Sequence, residues 1–208
     1  MSASGPRVPG RTAAIDDLVR RRVGQPWCLF LDRDGVINTR IVGGYVRTWD
    51  EFRFEPGALD ALRVLAHWSP RIVVVTNQQG IGKGLMTRGD LRQVHLQMVR
   101  AIQNAGGRID SIRFCPHLDA DSCDCRKPSP GMATGYLDEN NDLTGSLSVM
   151  VGDTSSDVEM GRRLAARNGG GATVRIHTDD DPAADLTSSS LAAFATEIRR
   201  AMGGYSAE

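Results

Sequence analysis

Residues Leu29-Phe-Leu-Asp-Arg-Asp-Gly-Val-Ile-Asn38 decide the fold of this chain and place its chemistry. The apolar run 27–31 predicts a buried strand, which Gly35 interrupts. Asp32 and Asp34 follow that strand directly, at the edge where α/β proteins bind ligands. Two neighbouring carboxylates there are desolvated and repel each other, and a divalent cation such as Mg²⁺ would offset both effects. The alternative is an ordinary turn rich in Asp and Gly.

The overall composition narrows the possible classes of protein. At 208 residues the chain is long enough for one domain with its own core, which we place at 26–203. Lys plus Arg and Asp plus Glu both number 25, which argues against broad attraction to nucleic acid or to an anionic membrane. No apolar run approaches the ~20 residues of a membrane span. We expect a cytoplasmic monomer with a flexible leader at 1–25, including a possible short helix at 15–23.

Apolar runs and helical stripes alternate along the rest of the chain. Strands are predicted at 27–31, 71–76, 109–114, 147–152 and 172–176, and helices at 56–67, 90–105, 131–140, 156–168 and 191–202. This alternation predicts a Rossmann-like, doubly wound parallel sheet with helices on both faces. Segment 38–54 is too long for a simple loop after a strand, and we expect a hairpin flap over the site. Segment 178–185 is acidic and is expected to be a loop.

The second strand leads into Thr76-Asn-Gln-Gln-Gly-Ile-Gly-Lys-Gly84. A hydroxyl and a glycine-rich turn can hydrogen-bond phosphate oxygens, so this segment is a candidate phosphate site. The glycine spacing matches neither a dinucleotide fingerprint nor a Walker loop. A merely flexible glycine loop is the alternative.

Four metal-binding side chains are close together farther along the chain. Cys115-Pro-His117 and Cys123-Asp-Cys125 supply four ligands on one loop, which predicts a closed tetrahedral Zn²⁺ site with a structural role. Chance clustering of reduced cysteines is the alternative. The fourth cysteine, Cys28, lies inside the first strand and is expected to be a plain buried thiol.

Charged residues follow the zinc loop and the fourth strand. Lys127, in Arg126-Lys127-Pro128, could neutralise a nucleophilic carboxylate and a phosphoryl oxygen together, or the basic pair could simply be exposed. Asp153, at the end of the strand 147–152, could supply a third acid to the cation. Asp157 either orients Lys127 or a metal-bound water, or is a favourable acid in a first helical turn.

Together these segments resemble the haloacid dehalogenase superfamily of aspartate-nucleophile phosphatases, over about residues 27–176. The order matches: Asp-x-Asp-Gly, a strand ending in Thr, then Lys, then Gly-Asp-x-x-x-Asp. Within that superfamily, Asp32-Arg-Asp-Gly-Val-Ile-Asn38, Gly44-Tyr-Val46, Val75-Thr-Asn-Gln-x-Gly80 and the Cys/His run with Arg-Lys-Pro resemble the heptose-1,7-bisphosphate 7-phosphatases. The histidinol-phosphate phosphatases are close relatives that share the zinc loop. No large insertion follows the first or the second motif, so no separate cap domain is expected.

The resemblance implies a role for each matching residue. Asp32 would be the nucleophile and Asp34 the general acid and then the base, with Thr76 and Lys127 on the transferring phosphoryl group. Mg²⁺ would be held by Asp32, Asp34 and Asp153, with Asp34 using its backbone carbonyl. The phosphorylated small-molecule substrate would be bound by the residues Arg33, Gly44, Tyr45, Thr76, Asn77, Gln78, Gln79, Arg126 and Lys127.

Two features of the sequence keep the substrate open at this point. Thr154 stands where heptose phosphatases often carry Lys, and the short zinc loop resembles that of the histidinol-phosphate branch. A histidinol-phosphate phosphatase is therefore the alternative enzyme. A non-enzymatic zinc module is a further alternative, but it would leave the shared pattern of Asp32, Asp34, Lys127 and Asp153 unexplained.

Overall fold

Six short strands form one parallel sheet in the computed structural model of this chain, which describes residues 10–204. The strands are β1 (Cys28–Leu31), β2 (Arg71–Asn77), β3 (Ser111–Cys115), β4 (Val149–Gly152), β5 (Ala172–Ile176) and β6 (Leu186–Ser188). Their order is β3-β2-β1-β4-β5-β6, and every neighbouring pair is parallel. The predicted doubly wound α/β fold is confirmed. The chain reverses its direction of winding between β1 and β4, so a ligand crevice is expected at their carboxyl ends.

Both faces of the sheet are covered, and for this reason its strands read as continuous apolar runs. In β1, Leu29 and Leu31 belong to one buried cluster, whereas Cys28 and Phe30 belong to the other. The first cluster also takes side chains from α1 (Arg11–Arg20), α2 (Ala58–Trp68), α3 (Arg88–Asn104) and α6 (Leu191–Gly203). The second takes them from α4 (Gly131–Glu139) and α5 (Ser155–Asn168).

The first helix differs from its prediction in place and in packing. It was expected at 15–23 but covers Arg11–Arg20, and its Ile15, Leu18 and Val19 side chains are buried in the core it shares with α6. Three or four apolar residues at helical spacing are enough to bury one face. Residues 1–9 of the predicted leader and the tail, 205–208, lie outside the described residues.

The sequence analysis missed β6, which is only three residues long and is mostly polar. Its Leu186 pairs with Val174 of β5, and the preceding acidic segment is a loop as predicted. None of the helices within 10–204 has both the length and the apolar character required to cross a bilayer.

The segment 38–54, which we call the flap, is pinned at its base and is not a two-stranded hairpin. A single antiparallel bridge joins Asn38 to Phe54. Beyond it, Trp49 stacks on Phe52 with ring centroids 4.9 Å apart, and Phe54 packs edge-on against both rings. This aromatic cluster fixes one arm of the flap, while residues 39–44 remain exposed near the carboxyl ends of β1 and β4.

Candidate active site

Asp32, Lys127 and Asp157 form a buried group of charges directly beyond β1, which we call the carboxylate cluster. The backbone N–H of Asp32 donates to the Val151 carbonyl at 2.9 Å, so the β1–β4 pairing positions this residue. Lys127 Nζ lies 2.7 Å from Asp32 Oδ1 and 2.6 Å from Asp157 Oδ1, and it donates to the Val75 carbonyl at 3.0 Å. All three donor directions of the ammonium are therefore used, which fixes it against the candidate nucleophile.

Burial and mutual charge set the ionisation of this cluster. Burial alone would lower the pKa of Lys127, but Asp157 and Asp32 reverse that effect and the pKa is raised. Burial raises the pKa of Asp32 to about 7; Lys127 opposes the rise, and Asp157 and Asp34 add to it. A further cation beside Asp32 would favour the ionised carboxylate that a nucleophile requires.

Asp157 fulfils both of the roles that the sequence left open. Its Oδ1 contacts Lys127, and its Oδ2 accepts from the N–H and the hydroxyl of Thr154 at 2.9 and 2.6 Å, which caps α5. It is completely buried. An ideal Cβ at Gly152 would overlap its side chain, so glycine is needed there. The helix cap and the position of Lys127 thus depend on one carboxylate.

Asp34 is held as a carboxylate by its neighbours. Arg33 donates to both of its oxygens at 2.8 and 2.9 Å, while Asn38 and Gln78 each donate at 2.9 Å. Burial would raise the pKa of Asp34, but the charge of Arg33 and these hydrogen bonds outweigh it and the pKa is lowered. The resting carboxylate is ready to act as a base. To act as an acid it would first have to acquire a proton.

Arg33 and Gln78 lie behind the site, so their assignment as substrate-binding side chains is corrected. Arg33 is 1% exposed, and its guanidinium Nη1 lies 3.1 Å from His95 Nε2 of α3. Gln78 is also buried and donates to Asp34 and to the hydroxyl of Thr76. Burial, followed by the charge of Arg33, lowers the pKa of His95 to about 3, so that imidazole is a neutral acceptor. These three side chains hold Asp34 in place from behind.

The oxygens that would hold a metal converge on one point. Asp34 O, Asp153 Oδ1 and Asp32 Oδ2 lie 3.0, 2.7 and 3.7 Å from a single atom, Nη2 of Arg40. Two carboxylates and a carbonyl are hard oxygen donors of the kind that Mg²⁺ takes. They already attract a cationic group, so the donor set fits a divalent ion. An ideal Cβ at Gly35 would overlap the Asp153 carboxylate, which explains the glycine after the second acid.

A cavity of about 400 Å³ opens above these groups. Most of the predicted substrate-binding residues line it, together with the two acids: Asp32, Asp34, Gly44, Tyr45, Thr76, Asn77, Gln79, Arg126 and Lys127. Asn77 is fixed by two hydrogen bonds to the Lys127 backbone, at 3.0 and 3.2 Å. Asp153 is near this cavity but lines a neighbouring one. Four further polar residues line it that the sequence analysis did not assign to the site: Arg40, Lys83, Thr154 and Ser156.

The side chains of Arg40, Tyr45, Lys83 and Arg126 surround the mouth of this cavity, and we call them the rim. Lys83 Nζ lies over the Tyr45 ring, 5.4 Å from its centroid. Arg126 donates to Asp119 at 2.8 Å, and its Nη1 is buried with no hydrogen-bond partner in the described part of the chain. Cations with unused donors at a cavity mouth suit an anionic ligand.

The predicted zinc ligands are brought together on one loop. The sulfur atoms of Cys115 and Cys125 each lie 3.5 Å from that of Cys123, and His117 Nδ1 is 3.6 and 3.2 Å from Cys115 and Cys125. A tetrahedral ion with Zn–S bonds of about 2.3 Å separates its sulfur ligands by roughly 3.8 Å. The loop geometry therefore fits such an ion, with all four positions filled by protein. Arg126 follows the last ligand directly.

Comparison with known proteins gives consistent relatives. No protein-family model matches the chain. It is 44% identical, over 187 residues, to the D-glycero-alpha-D-manno-heptose-1,7-bisphosphate 7-phosphatase of Mycobacterium tuberculosis, covering 89% of this chain and 98% of the relative. It is 40% identical over 131 residues to the D-glycero-beta-D-manno-heptose-1,7-bisphosphate 7-phosphatase of Neisseria meningitidis, covering 63% of this chain and 69% of that protein. The D,D-heptose 1.7-bisphosphate phosphatase of B. bronchiseptica, whose crystal structure contains magnesium and phosphate, superposes with a TM-score of 0.72 at 30% identity. That match covers 84% of this chain and 98% of the other.

Proposed function

Because this chain belongs to the heptose-1,7-bisphosphate 7-phosphatases of the haloacid dehalogenase superfamily, we propose that it removes the 7-phosphate of D-glycero-D-manno-heptose 1,7-bisphosphate. The observation that carries this proposal is the carboxylate cluster under a cation-rimmed cavity. The relative that the chain matches over almost its full length is named for the α anomer, and we propose the α-bisphosphate as the preferred substrate.

In the first half-reaction an Asp32 carboxylate oxygen attacks phosphorus, and the bond from phosphorus to the sugar oxygen breaks. Lys127, beside Asp32 Oδ1, is placed to neutralise charge on the transferring phosphoryl oxygens, and the Thr76 hydroxyl lines the same part of the cavity. The leaving alkoxide takes a proton from Asp34. For that step Asp34 must be protonated, which requires it to leave its paired contact with Arg33.

In the second half-reaction water attacks phosphorus, and the bond to Asp32 breaks. Asp34 accepts the proton of that water, a role to which its lowered pKa is suited. Mg²⁺ held by Asp32, the Asp34 carbonyl and Asp153 would offset negative charge between the nucleophile and the phosphate. Zn²⁺ held by Cys115, His117, Cys123 and Cys125 would have a structural role and would fix Arg126 at the rim.

The two alternative functions receive less support. The relatives are named for heptose bisphosphate, and histidinol phosphate has no second phosphate to use the cationic rim. A non-enzymatic zinc module would have no use for Lys127 buried between Asp32 and Asp157. We also propose a cytoplasmic monomer; the absence of a disulfide among the four cysteines suits a reducing compartment.

The test is phosphate release with Mg²⁺ present, comparing the α and β heptose 1,7-bisphosphates with histidinol phosphate at matched concentrations. We expect release from carbon 7 of the heptose, fastest with the α anomer. Asp32→Asn should reduce turnover by about 10⁴-fold or more while the protein remains folded, because the nucleophile is lost. Asp50→Asn, an exposed acid on the flap, is the matched control and should leave turnover unchanged. Preference for histidinol phosphate, or near-normal turnover by Asp32→Asn, would overturn the proposal.

A further inference from the structure

Arg40 occupies an unusual position for an exposed flap residue. Its Nη2 donates to the Asp34 carbonyl at 3.0 Å and to Asp153 Oδ1 at 2.7 Å, and it lies 3.7 Å from Asp32 Oδ2. These are the three oxygens that the proposed metal would use. Arg40 is thus the counter-charge of that oxygen set, supplied by a residue 113 positions away from Asp153 in the chain.

A guanidinium and a divalent cation cannot both occupy the point where these oxygens converge, because Nη2 of Arg40 already lies 3.0, 2.7 and 3.7 Å from them. Two positive groups about 4 Å apart also repel each other strongly wherever solvent is partly excluded. Arg40 is free to leave because its side chain is 42% exposed and residues 39–44 are exposed around it. Arg33 differs in this respect, since it is enclosed by Asp34 and His95.

The flap backbone limits where the Arg40 side chain can move once it is displaced. Arg40 and five of the six flap residues that follow it line the cavity that Lys83 and Arg126 also line. Lys127 is committed to the carboxylate cluster, so the charge of a second phosphate falls to the rim. A guanidinium with its planar fork of donors matches phosphate oxygens better than an ammonium does.

We propose that Arg40 competes with the divalent cation for the oxygens of Asp32, Asp34 and Asp153, and that once displaced it binds the substrate phosphate that is not hydrolysed. The second part rests on the proposed function, whereas the first does not. Arg40 is then a specificity-determining residue whose release is coupled to metal binding. A substrate with one phosphate would gain nothing from it.

The first part is tested by calorimetric titration of Mg²⁺ into wild type, Arg40→Met and Lys83→Met, with no substrate present. We expect Arg40→Met to bind Mg²⁺ about fivefold more tightly than wild type, or more, because a competing ion pair is removed. Lys83→Met removes an equal charge from the same cavity without touching the metal oxygens, and should leave the affinity unchanged. Unchanged affinity in Arg40→Met, or an equal gain in both variants, would overturn the competition. Thermal melts with and without Mg²⁺ verify folding, and Mg²⁺ should raise the melting temperature of Arg40→Met more than that of wild type.

The second part is tested by steady-state kinetics on the heptose 1,7-bisphosphate and on the heptose 7-phosphate, which lacks the second phosphate. Arg40→Met should raise KM for the bisphosphate about tenfold and leave KM for the monophosphate unchanged, as loss of one charge-assisted contact predicts. An equal change for both sugars would overturn the role at the second phosphate. If wild type releases phosphate from neither sugar, the proposed function fails, and the Mg²⁺ titration still decides the competition.

Discussion

The carboxylate cluster and the rim present charged side chains to the same cavity, yet they hold them in different ways. In the cluster, Lys127 is almost fully buried and has three acceptors within 3.0 Å. At the rim, Arg40 is 42% exposed, and Lys83 rests over an aromatic ring with its centroid 5.4 Å away. Asp32 follows a strand and Asp157 lies in the first turn of a helix, so two of the three cluster residues are placed by regular elements, whereas the rim is built on loops.

This difference indicates that the cluster contributes to folding stability and the rim to substrate selectivity. A buried charge network is costly to disturb because a charge left behind has lost both its hydration and its partner. An exposed cation remains solvated and can be moved or replaced at little cost to the fold. We therefore expect changes in the cluster to alter folding and catalysis together, and changes at the rim to alter substrate preference alone.

Removing Lys127 is the strongest test of this difference. Lys127→Met removes the cation that Asp32 and Asp157 share in the buried cluster, and should lower the free energy of unfolding by about 3–5 kcal/mol in metal-free buffer. Urea denaturation measures the change. The rim control, Lys83→Met, should stay within about 0.5 kcal/mol of wild type.

A double variant keeps this test informative if Lys127→Met folds poorly. Lys127→Met with Asp157→Asn removes one of the two buried charges and retains an oxygen for the Thr154 contact that caps α5. It should recover part of the lost stability, and a double-mutant cycle gives the coupling between the two residues. Equal losses in Lys127→Met and Lys83→Met, or no recovery in the double variant, would mean that the cluster is no more tightly coupled than the rim.

The second test concerns His95, the neutral side chain that contacts Arg33 behind the site. Its pKa is about 3 in the folded chain against 6.5 unfolded, so between these values the unfolded chain binds the proton first. Stability is therefore lost as pH falls below 6.5, by about 2 kcal/mol at pH 5. His95→Gln keeps an acceptor for Arg33 but has no such proton, and should gain about 2 kcal/mol relative to wild type between pH 7 and pH 5.

Urea denaturation of both proteins across this pH range measures the effect. His67→Gln, at an exposed position on α2, is the control for replacing a histidine by glutamine. If the difference between His95→Gln and wild type stayed constant across this pH range, the imidazole would not be kept neutral behind Arg33, and the contacts that hold Asp34 would be weaker than described.

The sequence predicted the residues that directly follow the strands better than it predicted the rim, for a physical reason. A buried parallel strand delivers the residues that follow it to a known edge of the sheet, so Asp32, Thr76 and Asp153 could be placed from their position after apolar runs. The Cys and His side chains of the proposed zinc site could be grouped because all four lie within eleven positions of the chain. Both signals are local, and both survive without knowledge of the tertiary structure.

Contacts between distant loops leave no such signal. Arg40 reaches Asp153 across 113 positions, and no periodicity or spacing marks it. His95 is one polar residue on the buried face of α3 and resembles any helical histidine in the sequence. Arg33 was misplaced for the same reason, because nothing local in the sequence shows that its guanidinium turns back onto Asp34 and meets His95.

The third test concerns the support of the rim, and its expected effect is the smallest. Cys123→Ser removes one of the four proposed zinc ligands, so the purified variant should hold much less than the roughly one zinc ion per chain that a closed site predicts. Arg126 follows the last ligand and donates to Asp119 on the same loop. If Arg126 is no longer held at the rim, KM for the bisphosphate should rise about tenfold, as expected for the loss of one charge-assisted contact. Elemental analysis and steady-state kinetics measure the two effects.

The same variant also shows whether the zinc loop positions only Arg126 at the rim or also Lys127 in the carboxylate cluster. The zinc loop lies outside β1 and β4, and Lys127 is held by Asp32, Asp157 and Val75 as well as by its place in the loop. Turnover at saturating substrate should therefore fall less than KM rises. Asp124→Asn, an exposed change between two of the ligands, is the control and should retain both zinc and KM. If Cys123→Ser kept its zinc and its KM, the loop would be rigid without the metal. If its turnover fell as steeply as that of Lys127→Met, the loop would be needed to position Lys127 in the carboxylate cluster and not only Arg126 at the rim.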